Sequence, residues 1–122
     1  MKSEELRIGN LVYLPSKAVY AVDVLYRNYD MLKVWEPIPL TEEWLNKFRH
    51  YSTYGDQKWF SLTKMKAEIH FEIFTRELHG TEIVTTLKSK FSDLILEPIK
   101  YVHELQNLFY ILSGGEELTL KQ

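Results

Sequence analysis

The sequence predicts an α+β domain: an N-terminal SH3-like antiparallel strand meander, a short helix, a second antiparallel strand region and a C-terminal amphipathic helix. Three observations carry this. Runs rich in valine and tyrosine, cut by turn residues, fill the first third and suit short pleated strands. A proline-gated stretch, Pro37-Ile38-Pro39, comes just before a capped helical signal at Thr41. An apolar period of about 3.6 residues runs from Ile99 to Leu112.

Taken in order, Gly9-Asn10 suits a tight turn with positive φ ahead of the first strand, Leu11-Val12-Tyr13-Leu14. Pro15-Ser16 turns the chain, and Ala18 to Leu25 forms the second strand. Tyr29-Asp30 breaks it and Leu32 to Trp35 resumes. Thr41 is a good N-cap, with Glu42 and Glu43 in the first turn of a helix. Trp44, Leu45 and Phe48 form its apolar stripe, and it ends near Arg49.

Gly55-Asp56 is a turn before the strand Lys58–Leu62. Glu68 to Phe74 alternates, with Ile69, Phe71 and Ile73 on one face and Glu68, His70 and Glu72 on the other. His79-Gly80 turns the chain into one more strand, Glu82 to Leu87, while Phe91 to Leu96 fits either a strand or a helical turn. Pro98 suits the first turn of the closing helix. Its core face is Ile99, Val102, Leu105, Phe109 and Leu112, and Gly114 or Gly115 ends it in a left-handed conformation. Residues 1–115 are expected to be a single domain and 116–122 a loose tail.

A chain of 122 residues, 45% hydrophobic and 26% charged, is of a size and composition to bury its own core without staples. It has no cysteine, which removes disulfides, thiolate metal sites and a cysteine nucleophile together. Glu4 and Glu5 stand where a signal peptide needs an apolar run, and no stretch is long and apolar enough to span a bilayer. The expected location is cytoplasmic, with no membrane partner. A net charge of −2 argues against a dedicated duplex DNA binder, which draws affinity from phosphate neutralisation.

No phosphate loop, dinucleotide fingerprint, nucleophile elbow or zinc-protease motif occurs. The expectation is therefore a non-enzyme with no catalytic residues, no metal and no cofactor. Four constellations remain. His103, Gln106, Asn107 and Tyr110 share one face of the last helix and could read a polar ligand with uncharged donors and acceptors. The plainer reading is a solvated face, or a face that buttresses a neighbouring loop. Lys58-Trp59-Phe60 with Lys64 and Lys66 could stack a base and follow phosphates, or could be a strand with its aromatics in the core and lysines guarding an edge.

Glu68-x-His70-x-Glu72 has ligand chemistry, but alternate strand positions do not close on one ion without help from elsewhere, and a charged solvent face is the ordinary outcome. Finally, eight tyrosines, six phenylalanines and three tryptophans, with clusters at Tyr20, Tyr26, Tyr29 and at Tyr51, Tyr54, suggest exposed aromatic surface and a homo-oligomer. Ligand-binding candidates are thus His103, Gln106, Asn107, Tyr110, Trp59, Lys64 and Lys66.

Three segments, Glu5-Leu6-Arg7-Ile8-Gly9-Asn10-Leu11-Val12, Glu36-Pro37-Ile38-Pro39-Leu40-Thr41-Glu42-Glu43-Trp44-Leu45 and Tyr101-Val102-His103-Glu104-Leu105-Gln106-Asn107-Leu108, carry a resemblance in order and spacing across almost the whole chain. The sequence resembles a family of small uncharacterised proteins encoded by phages and prophages of gut bacteria, and departs from it most between His50 and Ser92. The resemblance implies a host-cytoplasmic accessory factor. Such a factor sequesters a small polar ligand, for example a nucleotide signal of host defence. Alternatives are a nucleic-acid-associated module or a factor that blocks a host protein.

Overall fold

Two antiparallel sheets and two helices make up the described part of the chain, so the α+β class holds. The computed structural model describes residues 6–22, 35–49, 51–55, 57–62, 67–76, 80–88, 93–95 and 99–121, with backbone alone for 72–76, 80–84 and 93–95. No helix among the described residues is long and apolar enough to cross a membrane.

The small sheet pairs β1 (Leu11–Tyr13) with β2 (Val19–Ala21), Leu11 lying opposite Ala21. Its three-residue loop closes when the Lys17 amide donates to the Leu14 carbonyl at 2.8 Å and the Leu14 amide donates to the Ala18 carbonyl at 2.9 Å. Lys17 takes a left-handed conformation there, φ 68°, the position such loops usually give to glycine or asparagine. The expected turn at Gly9-Asn10 is present, with Gly9 at φ 97°. Tyr13 exchanges two backbone hydrogen bonds with Glu36, at 2.8 and 2.9 Å. These described strands make a ribbon with one bridge and do not establish an SH3-like curl. The second strand stops at Ala21, and the expected continuation over Asp23–Val34 lies outside the described residues.

The large sheet is a plain meander of β3 (Tyr51–Tyr54), β4 (Gln57–Leu62), β5 (Ala67–Arg76), β6 (Gly80–Lys88) and β7 (Asp93–Ile95). Within the open choice at 91–96, the described residues Asp93–Ile95 form a strand, with Ile95 opposite Thr86. Strand alternation sends Tyr51, Phe60, Leu62, Ala67, Ile69 and Phe71 to one face, all buried. That inner face packs on the helices: the Phe60 ring lies 6.1 Å from Phe48 and 6.0 Å from Phe109, both edge-on. Each such ring, fully removed from water, stabilises the fold by about 2–3 kcal/mol.

Helix α1 (Glu42–Asn46) begins as expected at Thr41, whose hydroxyl accepts from the Trp44 amide at 3.2 Å. It ends three residues before the expected Arg49 because Lys47–Arg49 pair with the end of the chain. The Arg49 amide donates to the Thr119 carbonyl at 2.9 Å and the Lys121 amide to the Lys47 carbonyl at 2.7 Å. The segment expected to be a loose tail is therefore docked over 117–121, with Leu118 only 4% exposed in the main core.

Helix α2 (Val102–Leu112) starts at Val102, not at Pro98. Tyr101 is instead extended and bridges Pro39: the Leu40 amide donates to the Lys100 carbonyl and the Val102 amide to the Ile38 carbonyl. Pro39 can sit in this bridge because its neighbours supply the donors. Val102, Leu105 and Phe109 are buried as the period requires, and Gly114 and Gly115 close the helix at positive φ. The Gly115 amide donates to the Tyr110 carbonyl and the Gly114 amide to the Ile111 carbonyl, a Schellman closure. A second cluster, Leu6, Val12, Val22 and Trp35, lies across β1, whose Leu11 belongs to the main core.

Candidate functional site

The polar face of α2 is turned inward. Gln106 is 2% exposed. Its Oε1 accepts from the Leu11 amide at 2.8 Å and its Nε2 donates to the Gly9 carbonyl at 3.2 Å. One residue along, Asn107 Oδ1 accepts from Asn10 Nδ2 at 2.9 Å, while Asn10 Oδ1 accepts from the Arg7 amide at 2.7 Å. The Arg7 guanidinium lies 3.9 Å from the Tyr110 ring centre and pairs with Glu117. His103 is buried at 3% and stacks on Tyr101, ring planes within 9°.

Gln106 and Asn107 therefore do structural work. The buried Leu11 amide needs a partner, and the Gln106 amide supplies it while also reaching the part-buried Gly9 carbonyl. Of the expected ligand face at His103, Gln106, Asn107 and Tyr110, two members, Gln106 and Asn107, latch the Gly9–Leu11 stretch, which fits the plainer alternative of a face that buttresses a neighbouring loop.

The Lys58-Trp59-Phe60 stretch is divided by strand alternation. Phe60 is fully buried on the inner face. Lys58, on the same side, is paired with Glu42 of α1. Trp59 points the other way, onto the outer face of the sheet, away from the helices. It sits directly opposite His70 on β5, the two rings stacked with centroids 5.7 Å apart and planes within 16°. His70 Nε2 in turn meets Glu68 Oε2 at 2.6 Å. Lys64 and Lys66 lie outside the described residues.

Ser52 on β3 is opposite Trp59, and Thr86 on β6 is opposite His70. The row Ser52–Trp59–His70–Thr86 thus crosses four strands, with small hydroxylated residues on both sides of the aromatic pair. Tyr54, two residues along β3 on the same face, is 80% exposed. Trp59 is half-buried, the His70 side chain is 16% exposed and the Glu68 side chain 47%.

Of the five candidate residues among the described ones, only Trp59 lies in this outer row. His70, Ser52 and Tyr54 were outside the candidate set. His70 and Tyr54 were visible only as members of other patterns, because their nearness to Trp59 is set by strand register. Among the described residues no group of three or more histidine and acidic side chains is placed to hold a metal ion. Glu68 and His70 meet as a pair.

Chemically, the outer row offers a rigid aromatic plate, a carboxylate-bound imidazole and flanking hydroxyls, which suit recognition of a flat polar molecule. Searches against protein-family models, curated proteins and solved structures find no match, so the resemblance to phage-encoded proteins rests on the three quoted segments alone.

Proposed function

We propose that the protein is a non-catalytic binder of a small polar ligand with a planar ring, of the nucleotide kind, held on the outer face of the large sheet. The observation that carries this reading is the Trp59–His70 stack, braced by Glu68 and partly exposed on the sheet face that the helices do not cover. An antiparallel sheet with one face packed on helices and aromatics on the other is a physically suitable platform for stacking bases. The resemblance to phage-encoded proteins extends the reading to sequestration of a nucleotide signal used in host defence.

A nucleic-acid module has weaker support. Lys58 is engaged by Glu42 on the inner face, and Glu68 places a negative charge beside the aromatic pair.

Calorimetry with a panel of cyclic nucleotides and ADP-ribose-type compounds tests the reading. At least one member should bind wild-type protein saturably and lose binding in Trp59→Ala. Trp35 and Trp44 are 4% and 6% exposed, so a parallel fluorescence titration reports mainly on Trp59. If no compound of the panel binds, the reading is wrong.

A further inference from the structure

We infer that His70 selects the ligand: Glu68 holds its Nε2 as a donor, which leaves Nδ1 beside the Trp59 indole as an acceptor for an N–H of the bound ring. The class this assigns is an amino-substituted nitrogen heterocycle, such as adenine. This deepens the proposed function and rests on it.

A neutral imidazole has one nitrogen that donates and one that accepts, and its neighbours decide which is which. An ionised carboxylate only accepts. His70 Nε2 meets Glu68 Oε2 at 2.6 Å, so Nε2 carries the proton and Nδ1 the lone pair. The protein makes no use of that lone pair. Nδ1 has no hydrogen-bond partner among the described residues, and it is not sealed from solvent. The side chain as a whole keeps 16% of its surface exposed.

The His70 ring lies nearly parallel to the indole, planes within 16° and centres 5.7 Å apart. A flat ligand resting on the exposed part of Trp59 therefore has His70 beside it. Stacking on an indole accepts any base and does not discriminate. An acceptor fixed in orientation does. A ligand N–H satisfies it, whereas a ring offering only acceptors or methyl groups leaves it unpaired. Ser52 and Thr86, the other polar members of the row, carry hydroxyls that both donate and accept, so they discriminate less. Glu68 acts through His70 and is a positioning residue.

The test uses the full chain, with AMP as the probe. Its N6,N6-dimethyl analogue has no N–H on the base, and its N6-methyl analogue keeps one and controls for bulk. Wild-type protein should bind AMP and the monomethyl analogue alike and the dimethyl analogue about tenfold more weakly. His70→Phe keeps a ring beside the indole but removes both nitrogens, and should bind all three within about twofold of one another. Glu68→Leu should shrink the discrimination by releasing the imidazole. A thermal melt of each variant confirms folding. Long-range proton–nitrogen NMR of the wild-type protein gives a readout that needs no variant. His70 should be protonated at Nε2 alone, and its Nδ1 resonance should shift on addition of AMP and stay in place with the dimethyl analogue.

A His70 ring protonated at Nδ1 would overturn the inference. Equal wild-type affinity for AMP and the dimethyl analogue would also overturn it, with the proposed function standing. Discrimination that persists in His70→Phe would place the reading of the amine elsewhere and sink the role of His70. If AMP does not bind wild-type protein, the inference falls, and the remaining compounds of the panel decide the proposed function.

Discussion

On α2, the Gln106 amide is 2% exposed and both of its ends are bonded to the backbone of Gly9 and Leu11. On the large sheet, Trp59 and His70 stack on a face that the helices leave uncovered and keep part of their surface in water. Both regions combine aromatic, amide, hydroxyl or imidazole groups of the sort that bind polar ligands. The difference lies in whether those groups are already saturated by the chain. A side chain that is buried and bonded at both ends to the backbone presents no atom to a ligand. Side-chain type therefore says less about function than hydrogen-bond accounting does.

The sharpest way to break this comparison is Gln106→Leu. The substitution keeps the bulk but leaves the buried Leu11 amide and the part-buried Gly9 carbonyl without their partner. Orphaning these two backbone groups should cost about 3 kcal/mol in urea denaturation. Binding to the outer face of the protein that remains folded should be unchanged. A cost below about 0.5 kcal/mol would mean that water replaces the amide and that the latch is dispensable.

Next in size is the pair Asn10 and Asn107. Asn10 is fully buried and links the Arg7 amide to Asn107 through its two ends. Asn10→Ala should cost about 2 kcal/mol, and Asn107→Ala less. A double-mutant cycle should show a coupling of about 1 kcal/mol, since the two side chains share one hydrogen bond. Additive effects would show that the bond at 2.9 Å contributes nothing net.

Trp59→Ala reverses the pattern expected of the latch. The indole is half-buried, so its loss should cost only about 1–2 kcal/mol of stability while removing ligand binding. Equilibrium denaturation followed by calorimetry separates the two. A large stability loss with intact binding would make the outer stack structural and erase the contrast between the regions.

Most of the elements were legible in the sequence and their partners were not. The alternation from Glu68 to Phe74, the Thr41 cap and the apolar stripe of α2 are local patterns, and local patterns survive into the fold. What failed locally failed for a tertiary reason. Pro98 looked like a helix start, but the helix begins only at Val102, after Tyr101 has bridged to Pro39. The last residues looked like a tail until Leu118 found the core and Thr119 and Lys121 bonded to Lys47–Arg49. The same limit applies to the site. Trp59 and His70 are 11 positions apart, and the strand register that makes them neighbours depends on the connection between β4 and β5, which no periodicity encodes.

The smallest expected effect at neutral pH concerns a third buried polar group and has the opposite sign. Tyr51 is 8% exposed on the inner face, and its hydroxyl has no hydrogen-bond partner among the described residues. Burial, with the Glu42 carboxylate adding to it, pushes its pKa from 10.0 up to about 12. Where Gln106 is buried and satisfied, Tyr51 is buried and unsatisfied, so deleting the polar atom should help. Tyr51→Phe should stabilise the protein by roughly 1 kcal/mol at pH 7. The pH limb gives a second readout with its own sign. Since the folded-state pKa is the higher one, the wild-type contribution is intact below about pH 10 and is lost as pH rises toward 12. The gap between Tyr51→Phe and wild type should therefore widen across that window in urea melts. A variant that is destabilised at pH 7, with a gap that stays flat to pH 12, would show that the hydroxyl has a partner after all. Burial of a polar group would then mean on the inner face of the sheet what it means on α2.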